Sequence, residues 1–135
     1  MIVVDSSVLS LVYRREWVGL RPAVVEEFEE LVRANAALAI PGIVLQEVLA
    51  GVRIESKFLA LRSALLSFPI LPASAEEHVL AAEISTSCGR SGIAASAVDC
   101  LIAAQTMACN GRLWTLDRDF AAIARCSRLK FFRPS

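Results

Sequence analysis

Ile2-Val3-Val4-Asp5-Ser6-Ser7 is the stretch on which the fold turns. Three apolar residues, two of them β-branched valines, followed at once by an acid and two small hydroxyl residues, read as a short buried strand ending in a polar turn. In an open parallel sheet the ligand crevice lies beyond the carboxyl ends of the strands, so an acid in that place points into a site by topology alone. Similar short apolar runs recur at residues 38–40, 70–71, 113–115 and 129–132, and longer amphipathic segments separate them. This alternation predicts an α/β fold with a mainly parallel sheet.

The intervening segments carry helical periodicity. Residues 22–34 place Val25, Phe28 and Leu31 on one stripe and turn Glu26, Glu27, Glu29 and Glu30 toward solvent. Helices are expected at 42–51, 55–66 and 74–88, the last opened by a reciprocal cap between Ser74 and Glu77, with a loop at 89–92. Residues 95–109 are Ala-rich and apolar on most sides, which predicts a buried helix stopped by Asn110-Gly111, and a last helix spans 120–125. No repeat, linker or low-complexity tract divides residues 1–135, so one domain is expected.

Composition narrows the function. With 135 residues, 56% of them hydrophobic, the chain can bury one core and has apolar surplus for a partner. No apolar run approaches the roughly 18 residues of a spanning helix, and the start is too short and too early acidic for a signal peptide, which places the chain in the cytoplasm and off the membrane. Acids and bases balance at 14 each, so there is no whole-molecule positive field to draw in nucleic acid, and any such binding must be local. Cys88, Cys100, Cys109 and Cys126 lack paired spacing, and the lone His78 cannot complete a zinc site, so the thiols read as small core residues. Catalysis, if present, must use other groups.

The acids are the groups that remain. Asp5 follows the first strand and Asp117 holds the equivalent place after Leu113-Trp114-Thr115; each is either a site acid or a helix cap. Asp99 lies among Val98, Cys100, Leu101, Ile102 and Ala103, and Glu47 among Val44, Leu45, Val48 and Leu49. A lone carboxylate in an apolar helix costs several kcal/mol unless something pairs with it. Two stranded acids and two strand-end acids therefore suggest four carboxylates meeting at one edge of the sheet. Converging anions repel, so the arrangement makes sense around one or two hard divalent cations, Mg²⁺ or Mn²⁺, which activate water on a phosphodiester without His or Cys.

Asp5-Ser6-Ser7-Val8-Leu9, Gln46-Glu47-Val48-Leu49-Ala50-Gly51, Asp99-Cys100-Leu101-Ile102-Ala103-Ala104 and Thr115-Leu116-Asp117-Arg118-Asp119-Phe120 resemble, in order, the four motifs of PIN-domain ribonucleases, above all the small VapC-type toxins of toxin–antitoxin pairs. The resemblance implies a three-layer α/β/α fold with a short central sheet. It also implies an Mg²⁺- or Mn²⁺-dependent endoribonuclease restrained by a cognate antitoxin. Carried over by position, it makes Asp5, Glu47, Asp99 and Asp117 the catalytic and metal-binding acids. Ser6 and Thr115 become supporting hydroxyls, and Asp119 either reaches the metal through water or caps the helix of Phe120.

From Arg112 onward six basic residues face only Asp117 and Asp119, so Arg112 and Arg118 are candidates for RNA phosphates, or the tail merely solubilises the sheet's end; Arg14, Arg15 and Arg90 are further rim candidates. Leu9, Leu11, Val12, Tyr13 and Trp17 are more apolar than one buried helical face requires, which suggests a homodimer and an antitoxin seated in an apolar groove near the acids. Ser7 stands where a phosphoaspartyl enzyme needs a second Asp, and no glycine-rich phosphate loop occurs. The remaining alternative is a PIN-like module that binds RNA or protein with weak or no nuclease activity.

Overall fold

The structure, a computed structural model, describes residues 1–13 and 21–134. Four short strands form one parallel sheet: β1 (Ile2–Val4), β2 (Leu38–Pro41), β3 (Ile70–Leu71) and β4 (Arg112–Trp114), in the order β3-β2-β1-β4. β1 is central, pairing Ile2 with Leu38 on one side and Val4 with Trp114 on the other. The chain builds outward from β1 through β2 to β3 and then returns to lay β4 on the opposite side. Strand order therefore reverses between β1 and β4, and the crevice beyond their carboxyl ends is where such sheets bind ligands.

Helices cover both faces of the sheet in three layers. They are α1 (Ser6–Val12), α2 (Ala23–Arg33), α3 (Gly42–Ala50), α4 (Glu55–Leu65), α5 (Ala75–Arg90), α6 (Ala97–Ala108) and α7 (Asp119–Arg125). Local chemistry sets several ends. Ser74 and Glu77 form the expected capping box, each side chain bonding the other's amide at 3.1 Å. The helix then runs two residues past its expected end, to Arg90. Ser96 caps α6 through the amide of Asp99. Asn110 stops α6 in the left-handed region, with φ of 53°.

The buried stripe of α2 presents Val25 and Phe28 to the core, with Leu31 half-buried beside them. Phe28 is an aromatic hub, its ring 6.1 Å from Tyr13, 5.8 Å from Phe68 and 6.2 Å from Trp114. Phe132 extends the cluster, 5.3 Å from Trp114. The fifth strand expected at 129–132 is a single parallel bridge between Leu113 and Phe131. Two backbone bonds hold it, Leu113 N to Lys130 O at 2.8 Å and Phe132 N to Leu113 O at 2.9 Å, and Pro134 has no amide hydrogen to continue the ladder. All four cysteines are free; Cys88 and Cys100 are buried, and burial together with neighbouring Cys126 pushes the Cys88 thiol up to about 11, as suits a packing residue.

Gly111 links α6 to β4 where two strands begin side by side. A Cβ there would stand 3.0 Å from Cys109 Sγ, 3.1 Å from Val3 Cγ2 and 3.2 Å from the Met1 carbonyl oxygen. That carbonyl accepts the Arg112 amide at 3.0 Å and cannot retreat without loosening the β1–β4 pair. Gly111→Ala is therefore expected to destabilise the fold by about 1–3 kcal/mol, read as a lower urea midpoint with an unchanged slope.

Candidate active site

Asp5 leaves β1 at the strand-order reversal and is only 4% exposed. It occupies the N-cap position of α1, yet its side chain caps nothing. Its Oδ2 instead accepts Thr115 Oγ1 at 2.7 Å and Ser7 Oγ at 2.8 Å. These hydroxyls in turn accept backbone amides, Ser7 from Leu116 at 2.9 Å and Thr115 from Asp117 at 3.0 Å. Each hydroxyl has one proton and has given it to Asp5, so the 3.3 Å between Ser7 and Thr115 is a close approach and not a third bond. Oδ2 is thereby fully engaged. Among the described residues Oδ1 receives only Ser6 Oγ at 3.4 Å, a long contact, and so stays available to a ligand.

Three other acids converge, Asp99 from α6, Asp117 from the turn after β4 and Asp119 from the start of α7. Asp99 stands in the first turn of α6, where the Ser96 cap takes its amide and leaves its carboxylate uncommitted. Asp117 Oδ1 accepts the Asp119 amide at 2.9 Å, which tightens the turn leading into α7. One carboxylate oxygen each from Asp99, Asp117 and Asp119 lies within 4.8 Å of the others. Asp119, open in the sequence between a role at the metal and a cap, belongs to this set geometrically.

Glu47 differs from expectation in its surroundings. α3 buries Val44 and Val48 and turns Glu47 outward, so it is exposed and not stranded in an apolar core. Its carboxyl is nonetheless raised above the usual range, first by partial desolvation and then by the charges of Asp5 and Asp99. Desolvation also raises Asp99, against a lowering bond from Ser96 and with further raising charges from Asp117, Asp5 and Asp119. These influences join five acids in one electrostatic neighbourhood. Among the described residues the ion pairs found both use Glu29, with Arg21 and with Arg33, so no basic side chain neutralises the acids. A close set of hard oxygen donors with no histidine or thiol fits a divalent cation of the Mg²⁺ or Mn²⁺ kind.

The remaining candidates divide. Ser7, passed over as a support residue in the sequence, makes a shorter bond to Asp5 than Ser6 does, 2.8 against 3.4 Å; its signal was its place two residues after the acid, on the first turn of a helix. Arg118 sits between Asp117 and Asp119 and is exposed. Arg112 starts β4 opposite Ile2, at the end of the strand away from the acids, and donates to the Phe131 carbonyl at 3.5 Å. Arg90 is exposed at the end of α5, and Arg14, Arg15 and Trp17 lie outside the described residues.

An open parallel sheet that gathers acids at its topological switch point defines a class of α/β domain with a cation-ready crevice. The sequence matches the PIN domain over residues 2–125, and the chain belongs to that family. Its fold is similar to FitAcB of Neisseria gonorrhoeae, with a TM-score of 0.78 and 23% identity over 99% of this chain and 98% of that one. A toxin–antitoxin complex from Klebsiella pneumoniae aligns with a TM-score of 0.67 and 21% identity over 90% and 91% of the two chains. VapC20 of Mycobacterium tuberculosis, a toxin that cleaves the Sarcin-Ricin loop, aligns with a TM-score of 0.69 and 18% identity over 96% and 99%. No curated protein matches the sequence.

Thr115→Val deletes one bond to the buried Asp5 carboxylate and one to the Asp117 amide while keeping the shape. A loss of about 1.5–3 kcal/mol is expected in urea unfolding, with Thr115→Ser close to wild type. Glu47 and Asp99 both hold their protons more tightly in the folded state than ordinary carboxyls do. Their contribution is therefore most favourable at low pH and is lost as pH rises through their raised folded values. In EDTA the melting temperature should fall as pH rises from the ordinary carboxylate range toward neutrality, and Asp99→Asn should flatten that slope.

Proposed function

We propose that the chain is a divalent-metal-dependent endoribonuclease acting as the toxin of a toxin–antitoxin pair. The observation that carries the reading is the approach of Asp99, Asp117 and Asp119 to within 4.8 Å at the strand-order reversal, with no basic side chain among the described residues to offset them. Asp5, through its available Oδ1, completes the set that would hold Mg²⁺ or Mn²⁺, and Glu47 stands by it. Such an ion, when bound, polarises a phosphodiester and makes water a competent nucleophile near neutral pH. The chain's own part is positional. Ser7 and Thr115 hold Asp5 rigid, Glu47 with its raised carboxyl suits holding a proton during the reaction, and Arg118 offers its guanidinium to a phosphate. Arg112, at the far end of β4, serves the fold through Phe131 in this reading.

An antitoxin partner is supported by a largely apolar groove between α1, α2 and α4, lined by Val12, Tyr13, Phe28, Val32, Ala64 and Phe68 together with Glu29, Arg33 and Ser67. It lies at the ends of the helices that lead into β2 and β3, at the opposite end of the sheet from the acids and not beside them as expected. Leu9, expected to contribute, is fully buried in the core instead. Exposed Val32, Leu59 and Leu66 add apolar surface on the same helices, and the working form is taken to be a homodimer covered by antitoxin in the cytoplasm. Among the described residues no helix is long and apolar enough to cross a membrane. The fold-level likeness to a toxin–antitoxin complex and to an RNA-cleaving toxin supports the same assignment.

Asp99→Asn keeps the volume and removes one charge. It should lower Mg²⁺- or Mn²⁺-dependent cleavage of total RNA by more than about a hundredfold while leaving the circular dichroism spectrum unchanged, and EDTA should do the same to wild type. Full cleavage by that variant, or by wild type in EDTA, would overturn the metal assignment; RNA binding without turnover under all metals would favour a binding module.

A further inference from the structure

Beside the acids, and sharing Asp117 with them, lies a second hollow of about 200 Å³, walled by Leu116, Asp117, Arg118 and Ala121 on one side and by Phe131 and Arg133 on another. Its chemistry is unlike that of the acidic crevice. Leu116 is 47% exposed at its edge, and its amide is bonded to Ser7 Oγ. Phe131 and Phe132 are both half-buried and both line the hollow; Phe132 also packs its ring against Trp114, whereas Phe131 carries an arginine over its face. Over its ring stands the exposed Arg133, with Cζ 5.8 Å from the centroid.

We propose that this hollow is a base-binding subsite. It stacks one unpaired nucleobase of the RNA next to the scissile phosphate on Phe131, and Phe131 thereby sets affinity and base preference. The inference rests on the nuclease reading above and extends it to the substrate class, single-stranded RNA, because only an unpaired base can leave its neighbours to enter. Three observations carry it. A ring face that already receives a planar guanidinium offers the surface a base requires. When the base takes that place, the Arg133 and Arg118 side chains on either side become phosphate contacts for the same strand. The rigid link from Ser7 to Leu116 and from Thr115 to Asp117 fixes the hollow relative to the acids, as a subsite adjoining the cut must be. A chain with zero net charge also needs substrate affinity that does not come from a long-range field, and stacking supplies it.

The test compares wild type, Phe131→Leu and Phe131→Tyr on a random-sequence single-stranded RNA pool in Mn²⁺, reading cut positions and, on one preferred oligoribonucleotide, KM and kcat. Phe131→Leu keeps apolar bulk but has no π face. It should raise KM about tenfold with little change in kcat and flatten the base bias at the position next to the cut, and Phe131→Tyr should restore both. Removing the base at that position from the oligonucleotide should cost wild type the same factor, a readout independent of any folding defect. If wild type cuts RNA while Phe131→Leu keeps its KM and bias and the abasic substrate is cut equally well, the subsite is overturned and the nuclease reading stands. The same unchanged KM with a weakened grip on co-purified antitoxin would assign the hollow to protein and equally overturn it. If wild type cuts nothing, the nuclease reading fails and the subsite falls with it.

Discussion

One carboxylate ties the site to the fold. Asp5 is buried at the carboxyl end of the central strand and is bonded through a single oxygen to two hydroxyls, one from the helix that follows it and one from the strand beside it. A buried anion is expensive unless its lone pairs are satisfied, so this pair of bonds is a condition of the sheet and not an ornament of it. Because both hydroxyls also accept amides from residues 116 and 117, the same four bonds set the path of the chain as it leaves β4. The positions of Asp117, Arg118 and Asp119 follow from that path.

The polarity of the crevice arises from arithmetic that the rest of the protein leaves open. Glu29 takes both ion pairs seen among the described residues, on a helix at a distance in sequence from every acid of the site. The site acids are left to one another, and partial desolvation together with mutual repulsion shifts Glu47 and Asp99 toward holding protons. A neutral protein overall thus contains one strongly anionic pocket beside an aromatic and basic one. Charge separation on that scale is what the proposed substrate, with anionic, planar and apolar parts, would call for.

Much of this was legible from residue order because it depends on local chemistry. A hydrophobic triplet before Asp5, a serine three residues ahead of a glutamate at 74–77 and an Asn-Gly pair after an apolar helix each state their own structure. The features that were not legible depend on three-dimensional placement. Ser6 and Ser7 are chemically equivalent in sequence, and only the rotation of the first helical turn decides that Ser7 reaches Asp5. Glu47 and its neighbour Gln46 stand in an otherwise apolar run, but which face of a nine-residue helix meets the core is settled by the sheet beneath it. Asp119 joins Asp99 because the turn at Asp117 closes on its amide, a bond between side chain and backbone that spacing alone does not reveal. The last apolar run has strand composition but pairs on one side only, and it collapses to a single bridge.

The bond between Asp5 and Thr115 spans 110 positions. During synthesis the first acid leaves the ribosome long before α6, β4 and the turn into α7 exist, and the oxygen cluster of residues 99, 117 and 119 cannot form until residue 119 has been made. Non-local pairing of this kind is slow to assemble and late to complete. A chain made only as far as β3 therefore lacks the oxygen cluster of the crevice. If the proposed chemistry on RNA is right, that timing would keep the nascent polypeptide harmless to the machinery translating it.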